Sequence, residues 1–164
     1  MTLEPPDSHH LHAAEGWLEL GNPAEAEHEL ASISEAARMH PDVLGTYWQL
    51  FAARKQWEDA LAIGELMVKL NPDHLRGWIH QSYALHELKR TREAWEQLRR
   101  VADQYPGESL IPYNLACYAC QLGNHADALR LLQSAIKIDG KDNILPRALE
   151  DPDLVPLRDR IRAL

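Results

Sequence analysis

The stretch GNHADA, Gly123 to Ala128, is the fourth appearance of one phrase in the chain. The phrase stands as GNPAEA at Gly21–Ala26, KQWEDA at Lys55–Ala60 and KRTREA at Lys89–Ala94, so that Ala26, Ala60, Ala94 and Ala128 fall 34 residues apart. In each copy a turn-forming pair leads to an acidic residue, Glu25, Asp59, Glu93 or Asp127, directly before the alanine. A carboxylate in a first helical turn meets the positive end of the helix dipole. The phrase therefore predicts the start of a helix four times.

Working outward, a second helical pattern lies about a dozen residues before each turn. Leu44, Tyr47, Trp48 and Phe51 recur at steps of three and four, as do Trp78, Ser82 and Leu85, and Leu115, Ala116, Tyr118 and Leu122. After the turns, Leu61, Gly64, Met67 and Val68, then Leu98, Val101 and Ala102, then Leu129, Leu132, Ala135 and Ile136 continue the spacing. Pro72, Pro106 and Gly140 end the second helices, since proline lacks the amide donor and glycine tolerates the helix-ending conformation. Each unit reads as helix, turn, helix, stop.

The period, Trp78 near the start of the third unit, the small residues Ala14, Ser82 and Ala116 on first helices and the alanines on second helices resemble the tetratricopeptide repeat (TPR) family. The resemblance covers about residues 7 to 142 and implies an all-α, right-handed α-solenoid of about four TPR-like helix-turn-helix repeats with a C-terminal capping helix. The repeats are expected at 7–40, 41–74, 75–108 and 109–142, with the cap at 143–164, in one domain over 1–164. Three departures stand out. Trp48 takes a position that is small elsewhere while Gly64 replaces a bulky residue, a pairing read as volume compensation. The first unit lacks the expected stop at Arg38, so its second helix is expected to run one turn further, toward Pro41. In the tail, Asp153 is the expected cap of a helix whose apolar stripe is Leu154, Leu157, Ile161 and Leu164. That tail resembles the Asp-Pro-Asp-Leu endings of bacterial TPR proteins.

Composition narrows the function. A formal net charge of −8 with scattered Lys and Arg gives no basic stripe for a phosphate backbone, so no nucleic-acid partner is expected. Nothing resembles a leader or a membrane span, and a cytoplasmic, membrane-free protein is expected. The two cysteines, Cys117 and Cys120, form a CxxC inside a predicted helix, where the amides that activate redox thiols are already bonded. They read as small packing thiols. A metal or redox role through this pair, with His80 and His86 as further ligands, is the remote alternative. His9, His10 and His12 read as incidental, and the five tryptophans as core. No HExxH, phosphate loop, GxSxG or kinase pattern occurs. The expectation is no enzyme and no cofactor.

In the resembled family, first-helix positions line a concave groove that takes a peptide. Carried over by position, the groove residues are Thr46, Gln49, Arg76, His80, Tyr83, His86, Glu87, Tyr113, Asn114, Cys117 and Gln121. Gly45, Thr46, Gln49, Arg76 and His80 do not match the Lys/Asn/Arg clamp that grips acidic chaperone tails. The resemblance thus implies a noncatalytic module, an adaptor or assembly factor, binding a protein or peptide segment. A secretion-type chaperone for an unfolded client and a self-associating scaffold, hence a homo-oligomer, are the alternatives left open.

Overall fold

The computed structural model describes residues 2–164, and among them there are ten α-helices and no strand. Close contacts divide the chain into two compact units, Met1–Ala84 and Leu85–Leu164, each described by itself.

In the first unit α1 (Asp7–Glu19) pairs with α2 (Pro23–Ala31), α3 (Pro41–Ala53) pairs with α4 (Trp57–Leu70), and α5 (Leu75–Glu87) contributes all but its last turn. The core between α1, α2 and α3 is Leu11, Ala14, Ala26, Leu30, Ile33, Val43 and Leu50, with Trp17, Leu18 and Tyr47 packed against it. Ala14 and Ala26 have no exposed surface, as the short side chains at a close helix crossing require. In the second unit α6 (Thr91–Val101), α7 (Leu110–Gln121) and α8 (His125–Asp139) are followed by α9 (Lys141–Glu150), a 3₁₀ segment (Pro152–Leu157) and the short α10 (Arg158–Arg162). Every residue of α7 from Tyr113 to Cys120 is buried, because α6, α8 and the 3₁₀ segment all pack on it.

The repeated phrase has a common backbone form. Its first residue has positive φ in all four copies: 72° at Gly21, 57° at Lys55, 65° at Lys89 and 81° at Gly123. The next amide reaches back five residues each time, from Asn22 to Trp17 O (2.8 Å), Gln56 to Phe51 O (2.9 Å), Arg90 to Leu85 O (2.9 Å) and Asn124 to Ala119 O (2.8 Å). This is the Schellman closure, in which one left-handed residue satisfies the carbonyls a helix end leaves open. Glycine suits that residue, whereas lysine carries a Cβ that crowds its own carbonyl.

Two expectations are corrected, at the end of α2 and in the tail. α2 does not run on toward Pro41; it stops at Ala31 and the chain turns through a 3₁₀ segment at Glu35–Ala37. Asp7 draws the chain away from the helix path, accepting from the Ser34 amide (2.7 Å) and hydroxyl (2.6 Å). At Gly64 a Cβ would meet Gln81 Cα at 2.8 Å, so the glycine lets α4 approach the backbone of α5. In the tail the cap is Asp151, which accepts from the Asp153 amide (2.9 Å), and α9 precedes it. Pro152 and Pro156 lack amide donors, and the segment between them winds as 3₁₀. Of the expected stripe Leu154, Leu157 and Ile161 are buried, and Leu164 is half-buried.

Replacing Lys55 or Lys89 by glycine should relieve the left-handed strain and raise stability by about 0.5 to 1 kcal/mol each. Urea unfolding checks this; a loss of stability in both variants would mean that the lysine side chains hold the turns by contacts outweighing the strain.

Candidate functional site

Five of the predicted groove residues fall in the first unit, on α3 and α5. Thr46 is fully buried, its hydroxyl donating to Asp42 O (3.0 Å) and lying 3.5 Å from Glu15, so it shapes the face without offering a contact. Gln49 is exposed. Arg76 lies across α3 over Gly45, where a Cβ would come within 2.6 Å of the guanidinium, and approaches Asp42 at 3.6 Å. Its Nε donates to His80 Nε2 (3.3 Å).

The His80 ring stacks on Trp48, centroids 4.0 Å apart and planes within 9°. Burial, reinforced by the Arg76 charge, lowers the His80 pKa from 6.5 to about 3, leaving a neutral ring that accepts from Arg76. Tyr83 meets Trp48 edge-on at 5.9 Å and Trp57 at 5.9 Å, and remains 37% exposed. Trp48 and Trp57, expected in the core, are thus half-buried walls of an aromatic shelf. Gln49, the residue after Trp48 on α3, lines with Ala53 and with Glu15, Leu18 and Glu19 of α1 an open cleft of about 440 Å³. The expected groove set omits these α1 residues, because the patterning of the first helix is weak.

The other six lie in the second unit, and here the chain covers its own face. His86, Tyr113, Asn114 and Cys117 are all at most 5% exposed, so four residues expected to line an open groove are closed off. The cover is the Asp151–Leu157 turn. Tyr113 donates its hydroxyl to Asp151 Oδ2 (2.8 Å), and the Cys117 thiol shares that oxygen at 3.6 Å. His86 Nε2 lies 2.9 Å from Asp153 Oδ2, and its Nδ1 lies 3.0 Å from Thr91 Oγ1. Gln121 donates to the Asp153 carbonyl (2.8 Å), and the Arg147 guanidinium sits 4.1 Å above the Tyr113 ring. Gln121 is still exposed and Glu87 half-buried.

Cys117 and Cys120 are both buried free thiols. Burial, together with the two nearby aspartates, pushes both thiols up, and burial does the same to the Tyr113 hydroxyl, with Asp151 adding to it. Cys117 Sγ and the carboxylates of Asp151 and Asp153 come within 4.8 Å of one another, a spacing a cation could bridge. Protons already join these groups: Tyr113 and Cys117 donate to Asp151, and a thiol held protonated is a hydrogen-bond donor and a poor metal ligand. The distant partners of this cluster, 67 residues apart for His86 and Asp153, were not visible from spacing, although both halves were legible separately.

Ten helices, four Schellman turns 34 residues apart and buried alanines beside them decide the architecture. The chain has the tetratricopeptide-repeat fold. Among solved structures, a thermophilic TPR protein of Thermus thermophilus superposes with a TM-score of 0.75 at 16% identity, covering 96% of this chain and 95% of that one. MamA from Desulfovibrio magneticus RS-1, from its residue 41 onward, gives 0.73 at 16% identity, covering 99% and 90%. No family model matches this chain. In sequence it is similar to the HTH-type transcriptional regulator MalT of Yersinia pestis (strain Pestoides F), 27% identical over 146 residues, 84% of this chain and 16% of that protein. Against MalT of Yersinia enterocolitica serotype O:8 it is 36% identical over 87 residues, 50% of this chain and 10% of that protein. The matched part of the chain thus spans about a sixth of the length of the first of these relatives and a tenth of the second.

Two outcomes test the described geometry. Asp151→Asn should weaken the bonds from Tyr113 and Cys117, lower stability by about 1 to 3 kcal/mol and speed the reaction of Cys117 with a thiol reagent. An unchanged labelling rate would show that the tail is not what shields the thiol. Because His80 stays neutral when folded but protonates when unfolded, the unfolded state binds more protons below pH 6.5, and stability falls on acidification. Between pH 7 and pH 5 this contribution is about 2 kcal/mol, and His80→Phe should remove it, seen as a flatter dependence of the melting temperature on pH.

Proposed function

We propose that the chain is a noncatalytic protein-interaction module, an adaptor or assembly factor, that holds a partner segment on the inner faces of α1, α3 and α5 in the first unit. The observation that carries this reading is the aromatic shelf: Tyr83, 37% exposed over Trp48 and Trp57, together with exposed Gln49 and the cleft of about 440 Å³ that it lines. Tyrosine offers large apolar area with few rotatable bonds, and a glutamine amide can both donate to and accept from a peptide backbone. The shelf is stacked before any partner arrives, so little ordering entropy opposes association.

The second unit supports the same reading by a different route. Its equivalent face holds a peptide segment already, the chain's own Asp151–Leu157 turn. What this chain does to that segment, gripping a backbone carbonyl by Gln121 and side chains by Tyr113 and His86, is how a first-helix face would hold a foreign one. The similarity to one portion of a transcriptional regulator fits a binding part of a larger machine. No described helix is long and apolar enough to cross a membrane.

Panning a displayed random-peptide library against the wild-type chain and a Gln49→Ala/Tyr83→Ala variant tests the assignment. Peptides selected on the wild type should bind the variant about tenfold or more weakly, while circular dichroism shows unchanged helicity. Equal binding by the variant would move the partner site off this face.

A further inference from the structure

The formal charge of the chain is unevenly distributed. Residues 1–84 hold 13 Asp and Glu against 5 Lys and Arg, net −8, whereas residues 85–164 hold 12 of each sign and are neutral. Of the five cations in the first unit, Arg54 is tied to Glu27 (2.8 Å) and to Pro23 O (3.1 Å), and Arg76 to His80 and Asp42. Arg38, Lys55 and Lys69 lie outside the first helices. On the cleft, Glu15 has only the long contact to the Thr46 hydroxyl, and no ion pair among the described residues involves Glu15 or Glu19. These two carboxylates are four residues apart on α1, hence on one helix face, with Leu18 beside them and Ala53 opposite.

We propose that the inner face of the first unit takes a basic peptide segment, one that places a Lys or Arg side chain between Glu15 and Glu19 and an apolar side chain on Tyr83. This rests on the interaction-module reading above and adds the chemistry of the partner. The stem of a Lys or Arg is apolar and its head cationic, so it lies along Leu18 and Ala53 while the head reaches the carboxylates. Like charges held four residues apart on a helix repel, and a cation between them removes that cost as it binds. The surplus of negative charge in this unit steers a basic segment toward it and repels an acidic one.

The probes are two short fluorescein-labelled peptides, one alternating Lys with Leu and Ala and a twin with Glu at every Lys, titrated against the full chain by fluorescence anisotropy at fixed ionic strength. The Lys peptide should bind and the Glu twin should not. Glu15→Gln/Glu19→Gln should weaken the Lys peptide about tenfold or more, while Glu35→Gln/Glu65→Gln, with the same change of net charge at exposed sites off the first helices, should weaken it less than about twofold. Equal weakening by both pairs would reduce the effect to diffuse attraction and overturn the assignment. Binding of the Glu twin with loss in Tyr83→Ala would overturn the basic preference while leaving the shelf as a peptide site. Binding of either peptide without dependence on Tyr83 or Gln49 would overturn the interaction face itself.

Discussion

Four alanines with no exposed surface, Ala26, Ala60, Ala94 and Ala128, are the constraint from which the rest follows. A methyl at each crossing lets a second helix lie close, and larger side chains then have nowhere to go but along the grooves toward neighbouring helices. The left-handed turn residue fixes where the second helix begins, so the alanine always arrives at the same height. Repeating this every 34 residues turns one local solution into a fold.

Much of that was legible in the sequence, because both devices are local. Period, turn phrase and helix faces depend on residues a few positions apart, and the buried stripe Leu154, Leu157 and Ile161 could be read in the same way. What was not legible depends on distant partners. Nothing in the text near Ser34 announces that Asp7 will take its amide, and nothing near Trp48 announces that His80 will stack on it. The helix α9 was hidden by its own Pro146, a residue that argues against a helix interior.

The groove residues divide for the same reason. Positional carry-over from the repeat picks out first-helix residues in both units, yet it treats every face as open. Whether one is open depends on what the chain does afterwards. In the first unit the inner face keeps Gln49 and Tyr83 at the surface; in the second the Asp-Pro-Asp-Leu turn uses the face up, and Tyr113, Asn114 and Cys117 become interior residues. Both thiols of the CxxC are buried, and Cys117 takes its hydrogen-bond partner, Asp151, from the tail.

The covered face of α7 also orders events in time. Translation delivers α7 before the Asp151–Leu157 turn that covers one side of it, so Cys117 lacks its Asp151 partner until the tail has been made and folded back. During that interval the second unit exposes the Cys117 thiol and the Tyr113 side of α7, while the first can already close around its own core. The tail-facing side of α7 is thus exposed to oxidation and to wrong association from the time the helix is made until the Asp151–Leu157 turn closes over it.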